Sequence, residues 1–303
     1  MDENYDVVVA GGGAAGLSAA VTLSRALRSV LVVDAGEPRN SPAGGVHNYL
    51  GREGIAPAEL LAAGRDEVAG YGGQVVTGTV VSAEREGAAF AVRLADGRTT
   101  KARRLLAATG LVDELPGIPG LARRWGSRVL HCPYCHGWEV RGKAIGVLAT
   151  DGQGVHKALL WRQWSPNTTL FLHTAPALSD DDRKRLGKQG IQVVEGEVTA
   201  FEDDGIRLAT GELVPCDALA VSPRFTVRSE LLSSLGLEPV ELEMQGQVLG
   251  TYIPAEPTGA TSVPGVWVAG NVTDLMATVL PAAAAGQRAG AMINVDLIEE
   301  DAR

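Results

Sequence analysis

Two of the three cysteines in this 303-residue chain lie in the segment HCPYCHGWE, residues 131–139, two residues apart and with a histidine on either side. A Cys-x-x-Cys spacing on the first turn of a helix brings two sulfurs close enough to bond. The helix N-terminus favours the thiolate, which is the species that attacks a disulfide. Pro133 suits such a turn, because its missing N–H would have no partner there. Cys132 and Cys135 are therefore candidates for a pair that cycles between dithiol and disulfide. Each exchange also moves a proton, and a neutral imidazole takes one from a thiol near pH 7. His136, directly behind the pair, is the candidate for that task, whereas His131 reads as a strand-end residue. Glu139 either orients a histidine or is a solvated charge.

The same residues are zinc-ligand types. Structural zinc sites draw on ligand pairs from separate turns, and four ligands within residues 131–136 would strain a tetrahedron. No metal is expected. The third cysteine, Cys216 in LVPCDALAV, reads as a small buried hydrophobe on a strand.

A second constellation opens the chain, in YDVVVAGGGAAGLSAAVTLSRALRSVLVVDAG. Val7–Val9 predict a strand buried on both faces, followed by Gly11-x-Gly13-x-x-Gly16, a small-residue helix from Leu17, and a second apolar strand ending at Asp34. This is the dinucleotide-binding pattern. Gly11 allows the tight turn, Gly13 lets the backbone approach a pyrophosphate, and Gly16 lets helix and strand pack closely. Free N–H groups at the helix start face the phosphates, and Asp34 accepts hydrogen bonds from a ribose.

The elements that must position these two sites follow from pattern. Residues 75–106 alternate as an antiparallel meander, and the small residues Ala107–Gly110 bring a backbone close to a neighbour. A composition shift at Pro116 marks a boundary. The expected architecture is α/β, with two three-layer Rossmann-like domains: residues 1–115 with 244–303, and an inserted domain, 116–243, that carries the cysteine pair. Trp161 and Trp164, on a crossover helix of the inserted domain, read as core and interface residues. Near the C-terminus a strand at Val266–Ala269 runs into Gly270-Asn271 and an Ala-rich helix. The small face of that helix suits either tight packing or a flat ligand. A net charge of −9 argues against nucleic acid, no apolar run is long enough for a membrane span, and the acidic start lacks a secretory signal, so a cytoplasmic protein is expected.

Taken in order, GGGAAGLSAA, AATG, HCPYCHGWE and TSVPGVWVAGNVTD make the whole chain resemble the low-molecular-weight thioredoxin-reductase-like flavoproteins. The resemblance implies FAD, held by Gly11, Gly13, Gly16 and Asp34 and by Gly270-Asn271, where the family has Gly-Asp. It implies a homodimer, with Cys135 facing the flavin and Cys132 exchanging with substrate. His136 stands where the reductases place an acid, usually Asp, and that change suits oxidation of a thiol. The form CPYCHGWE is most similar to the dithiol oxidases that close disulfides in small natural products of the holomycin and gliotoxin type.

The reductases bind NADPH through a second glycine pattern. Here its positions are Ala149, Asp151 and Gly154, and a carboxylate at 151 repels phosphate. The sequence therefore argues against NAD(P)H and for dioxygen as electron acceptor. The expected function is FAD-dependent oxidation of a small-molecule dithiol. The alternatives are an NAD(P)H-dependent thioredoxin or disulfide reductase, a ferredoxin-dependent reductase, and a non-enzymatic flavin-bound sensor.

Overall fold

The computed structural model describes residues 1–244 and 246–303. The chain begins with β1 (Asn4–Ala10), α1 (Ala14–Arg25), β2 (Val30–Asp34), α2 (Pro57–Gly70) and β3 (Gln74–Thr77). The meander β4 (Val80–Glu86), β5 (Ala89–Leu94) and β6 (Thr99–Ala107) follows, then β7 (Leu111–Glu114). A second α/β unit holds β8 (Val129–Leu130), α3 (Pro133–His136), β9 (Ile145–Leu148), α4 (Gly154–Trp161), β10 (Thr168–Phe171), α5 (Asp180–Lys188) and β11 (Gln192–Val194). It continues through β12 (Val198–Phe201), β13 (Gly205–Leu208), β14 (Leu213–Pro215) and β15 (Ala218–Ala220). The chain ends with β16 (Arg224–Val227), α6 (Glu230–Ser233), β17 (Val240–Met244), β18 (Gln247–Tyr252), β19 (Val266–Val268) and α7 (Val279–Asp301).

The first sheet runs β3-β2-β1-β6-β5-β4, with β19 also paired to β6. Its parallel centre carries apolar side chains on both faces, as the unbroken valine runs require. Val7, Val9, Val30 and Val32 pack under α1 and α7, and Val8, Leu31 and Val33 pack with the meander. The second unit has a parallel sheet, β11-β10-β9-β15-β8, beside a three-stranded meander, β12-β13-β14. The mixed α/β architecture agrees with the fold class read from the sequence.

A separate four-stranded sheet, β17-β18-β16-β7, joins the two stretches that connect the units. Strand β16 lies antiparallel to β7, and Leu231, Leu232 and Leu237 join Val80 and Phe90 in the first unit's core. On this packing we propose that the chain returns to the first unit at β16, ahead of residue 244. Among the described residues no helix is long and apolar enough to cross a membrane.

Helices α1 and α7 touch backbone to backbone. A Cβ on Gly286 would overlap the Ala15 carbonyl, and one on Gly290 would lie 2.8 Å from the Ala19 carbonyl oxygen. At Gly286 and Gly290 the small face of α7 serves helix packing.

Candidate active site

The redox turn is built locally. Cys132 is the N-cap of α3, Pro133 opens the helix, and the Cys135 N–H donates to Cys132 Sγ at 3.1 Å. The two cysteines are joined by a disulfide across a Cα–Cα distance of 5.2 Å. After reduction the same N–H would stabilise a thiolate on Cys132. Gly137 ends the turn where only glycine fits, since a Cβ there would sit 2.7 Å from the Trp164 indole. Trp164 is thus a wall of the redox turn, packed against the edge of Tyr134 at 5.6 Å, while Trp161 is fully buried in the core.

His136 has both ring nitrogens buried, with no hydrogen-bond partner among the described residues. Burial lowers its pKa, opposed by the charge of Glu139 and assisted by His47, so the ring is neutral at pH 7. An unpartnered imidazole beside a disulfide can take a thiol proton without first giving up another bond. His131 differs. Its ring packs on the edge of Phe225 at 5.2 Å, and burial together with the Arg39 charge pushes its pKa down to about 4. Cys216 is buried in the second unit's core and its thiol bonds to the Ala218 carbonyl at 3.0 Å. Burial pushes its pKa up to about 12, so it stays a thiol.

The loop between β2 and α2 faces this turn, and sequence reading missed it. The Asn48 side-chain amide donates to the Tyr134 carbonyl at 2.8 Å. His47 Nε2 lies 3.6 Å from Glu139, while its Nδ1 lies 2.7 Å from Glu53. Arg39, earlier in the same loop, makes a two-pronged pair with Asp113 at 2.6 and 2.7 Å. The segment GGVHNYLGREG, residues 44–54, carries polar groups between glycines, but no spacing in it names the distant turn as its partner.

The glycine turn gathers at the carboxyl ends of β1, β2 and β19. Gly11 has φ +108°, and a Cβ there would overlap the Ala108 carbonyl, so the AATG backbone is the neighbour expected to come close. A Cβ on Gly16 would overlap Gly11's carbonyl, whereas one on Gly13 would meet nothing within 4 Å. The turn is therefore closed toward the protein and open above Gly13. Asp34 Oδ1 accepts from the Gly12 and Gly36 N–H groups at 3.2 Å each, and Oδ2 lies 3.7 Å from Arg65. A cavity of about 750 Å³ adjoins it, lined by Asp34, Gly36, Ser41, Leu61, Arg65 and Thr77 among others.

Gly270, at φ +77°, brings the second motif against α1, where a Cβ would lie 2.9 Å from that of Ala15. Asn271 spends both amide hydrogens on the Asp274 and Ala277 carbonyls at 2.9 Å, which holds the loop that enters α7. An aspartate has no hydrogen to give there, so this loop has a reason to carry Asn. Its Oδ1 remains able to accept from a hydroxyl. The open glycine turn, the carboxylate ending β2, the adjoining cavity and this acceptor together fit a flavin dinucleotide.

In the second unit, Gly154 packs α4 on β9, since a Cβ there would meet Ala149's. Asp151 turns into its own loop, accepting from the Gln153 N–H at 2.8 Å and pairing with Lys157 at 3.5 Å. Its carboxylate lies at the start of α4, where a pyrophosphate would need the N–H groups.

A family model described as pyridine nucleotide-disulphide oxidoreductase matches residues 5–289. Thioredoxin reductase tcpT of Claviceps purpurea (strain 20.1) is 31% identical over 97% of this chain and 95% of its own. Thioredoxin reductase sirT of Leptosphaeria maculans is 30% identical over 98% and 95%. Among solved structures, HlmI is 44% identical over all of this chain and 95% of its own, with a TM-score of 0.90. An oxidoreductase from Agrobacterium tumefaciens is 34% identical over 97% and 99%, with a TM-score of 0.91.

Proposed function

Since the chain belongs to the pyridine nucleotide-disulphide oxidoreductase family and is an FAD-dependent thiol/disulfide oxidoreductase, we propose that it runs in the oxidising direction, closing a disulfide within a small-molecule dithiol. The observation that carries this reading is His136, a neutral, buried and unpartnered base directly behind an oxidised cysteine pair.

In the first step a substrate thiol gives its proton to His136 and the thiolate attacks Cys132 Sγ. The Cys132–Cys135 bond breaks and the electron pair leaves on Cys135. In the second step, after His136 has released the first proton to solvent, it takes the proton of the other substrate thiol, which attacks the substrate sulfur of the mixed disulfide. Cys132 departs as a thiolate, eased by the N–H of Cys135, and the cyclic disulfide is free. A bound FAD would supply the two-electron acceptor that reoxidises the Cys132–Cys135 pair, with dioxygen as the final oxidant and hydrogen peroxide as its product. Gly11, Gly13, Gly16, Asp34, Gly270 and Asn271 are the residues we propose to hold it.

A second reading, reduction of a disulfide by NAD(P)H, draws support from the names of the curated relatives. The inward-turned Asp151 speaks against it. One experiment separates the two. Anaerobic holoenzyme is mixed in a stopped-flow cell with dithiothreitol or with NADPH while flavin absorbance is followed. Rapid, saturable bleaching by dithiothreitol but not by NADPH is expected, and bleaching by NADPH at a comparable rate would reject the oxidase direction.

A further inference from the structure

The loop that faces the redox turn contains a string of three side chains whose geometry resembles a strap. Glu53 uses both carboxylate oxygens locally, one on His47 Nδ1 at 2.7 Å and one on the Asn48 N–H at 2.8 Å. That fixes the His47 ring at both its base and its Nδ1 edge. The opposite nitrogen, Nε2, points at Glu139 Oε1 at 3.6 Å, across the gap between the two α/β units. The next residue, Asn48, grips the same turn through the Tyr134 carbonyl, so the approach of this loop rests on two contacts.

Glu139 follows His136 by one turn and is not hydrogen-bonded to it, since neither nitrogen of His136 has a partner. The charged groups that act on His136 are Glu139, which favours the imidazolium, and His47, which opposes it. Glu139 is exposed to solvent and, without a restraint, would spend its time there. We propose that His47 and Glu53 are positioning residues for the oxidation: they hold the Glu139 carboxylate beside His136, so that the proton taken from a substrate thiol arrives next to a fixed negative charge. This rests on the reading of His136 as the base.

The test uses oxidised, FAD-loaded protein carrying ¹³C-labelled histidine. With five histidines in the chain, the His136 resonance is assigned from an H136Q sample. Its titration midpoint is measured in wild type, E139Q, H47Q and the double variant. Removing the Glu139 charge should lower the midpoint by about half a pH unit in the wild-type background, a discounted value for a partly exposed pair. In the H47Q background the same change should move it by less than half as much, because Glu139 is already released. Equal shifts in both backgrounds, or no shift with E139Q alone, overturn the proposal. Should H47Q fail to fold, E53Q loosens the same ring and carries the same expectation. Failure of the underlying reading shows separately: H136Q would then bleach its flavin with dithiothreitol as fast as wild type, whatever the titrations give.

Discussion

At the scale of single residues, an oxidised cysteine pair is followed by His136, an imidazole with no hydrogen-bond partner among the described residues, which we propose as the base. Replacing His136 with glutamine should slow flavin reduction by dithiothreitol by about 10²-fold at pH 7, the low end for general-base catalysis. The effect should shrink as pH rises toward the dithiol's own pKa, where substrate arrives already ionised; a loss that is constant across pH would point to a packing role instead. Cys132→Ser should leave the flavin spectrum of the isolated protein intact but abolish the cyclic disulfide product, read by mass spectrometry of the probe. Asp34→Ala removes an acceptor that also ties the Gly12 and Gly36 backbone, so FAD release should increase by about tenfold, measured from recovery of free-flavin fluorescence on dilution.

Among the elements, the α1–α7 contact is a close-packed constraint. Gly286→Ala places a methyl group where the Ala15 carbonyl already stands, so the helices must separate, at a cost of roughly 3 kcal/mol. Thermal unfolding of the holoprotein should show a clear drop in Tm, and an unchanged Tm would mean that α7 shifts freely, contrary to this packing. Asn271→Asp tests the loop that leads into α7. It loses two donors and sets a carboxylate against two carbonyls, for a cost of about 2 kcal/mol, whereas an Asn retained only to touch a cofactor would give a change in FAD affinity with little change in apoprotein stability. The Gly-Asn dipeptide is plain in the sequence. Its reason is not, because the two carbonyls that it satisfies are identified only once the loop has closed on itself.

Across the whole molecule, the units meet through the edge-on contact of His131 with Phe225 and the loop around His47. His131 has a folded pKa of about 4 against an ordinary 6.5, chiefly through burial, with the Arg39 charge adding to it. The folded protein therefore binds a proton less readily than the unfolded chain at this site. Stability should be unaffected by His131 above pH 6.5 and should fall as pH drops from 6.5 toward 4, by up to roughly 3 kcal/mol. A His131→Phe variant should flatten this slope in denaturant titrations run at several pH values; an unaltered slope would assign the acid sensitivity to other groups. The homodimer expected from the family resemblance belongs to the same proposal as the function, and sedimentation of the holoenzyme checks it.

What the sequence determined by itself is what lies within one or two turns of chain. The roles of Gly11 and Gly16, the disulfide-forming spacing of Cys132 and Cys135, the N-cap thiol and the start of α3 at Pro133 are set by φ limits and helical rise, which residue types report directly. The mixed α/β class was legible for the same reason, since unbroken valine runs and alternating ones bury different numbers of faces. Only the tertiary structure decided that Gly286 and Gly290 serve α1, that β16 pairs with β7, and that Glu53, His47 and Asn48 face the redox turn. Those are contacts between segments far apart in the chain. A short strand or a polar loop encodes its readiness to pair but not its partner, because the partner is selected by the packing of the two cores around it.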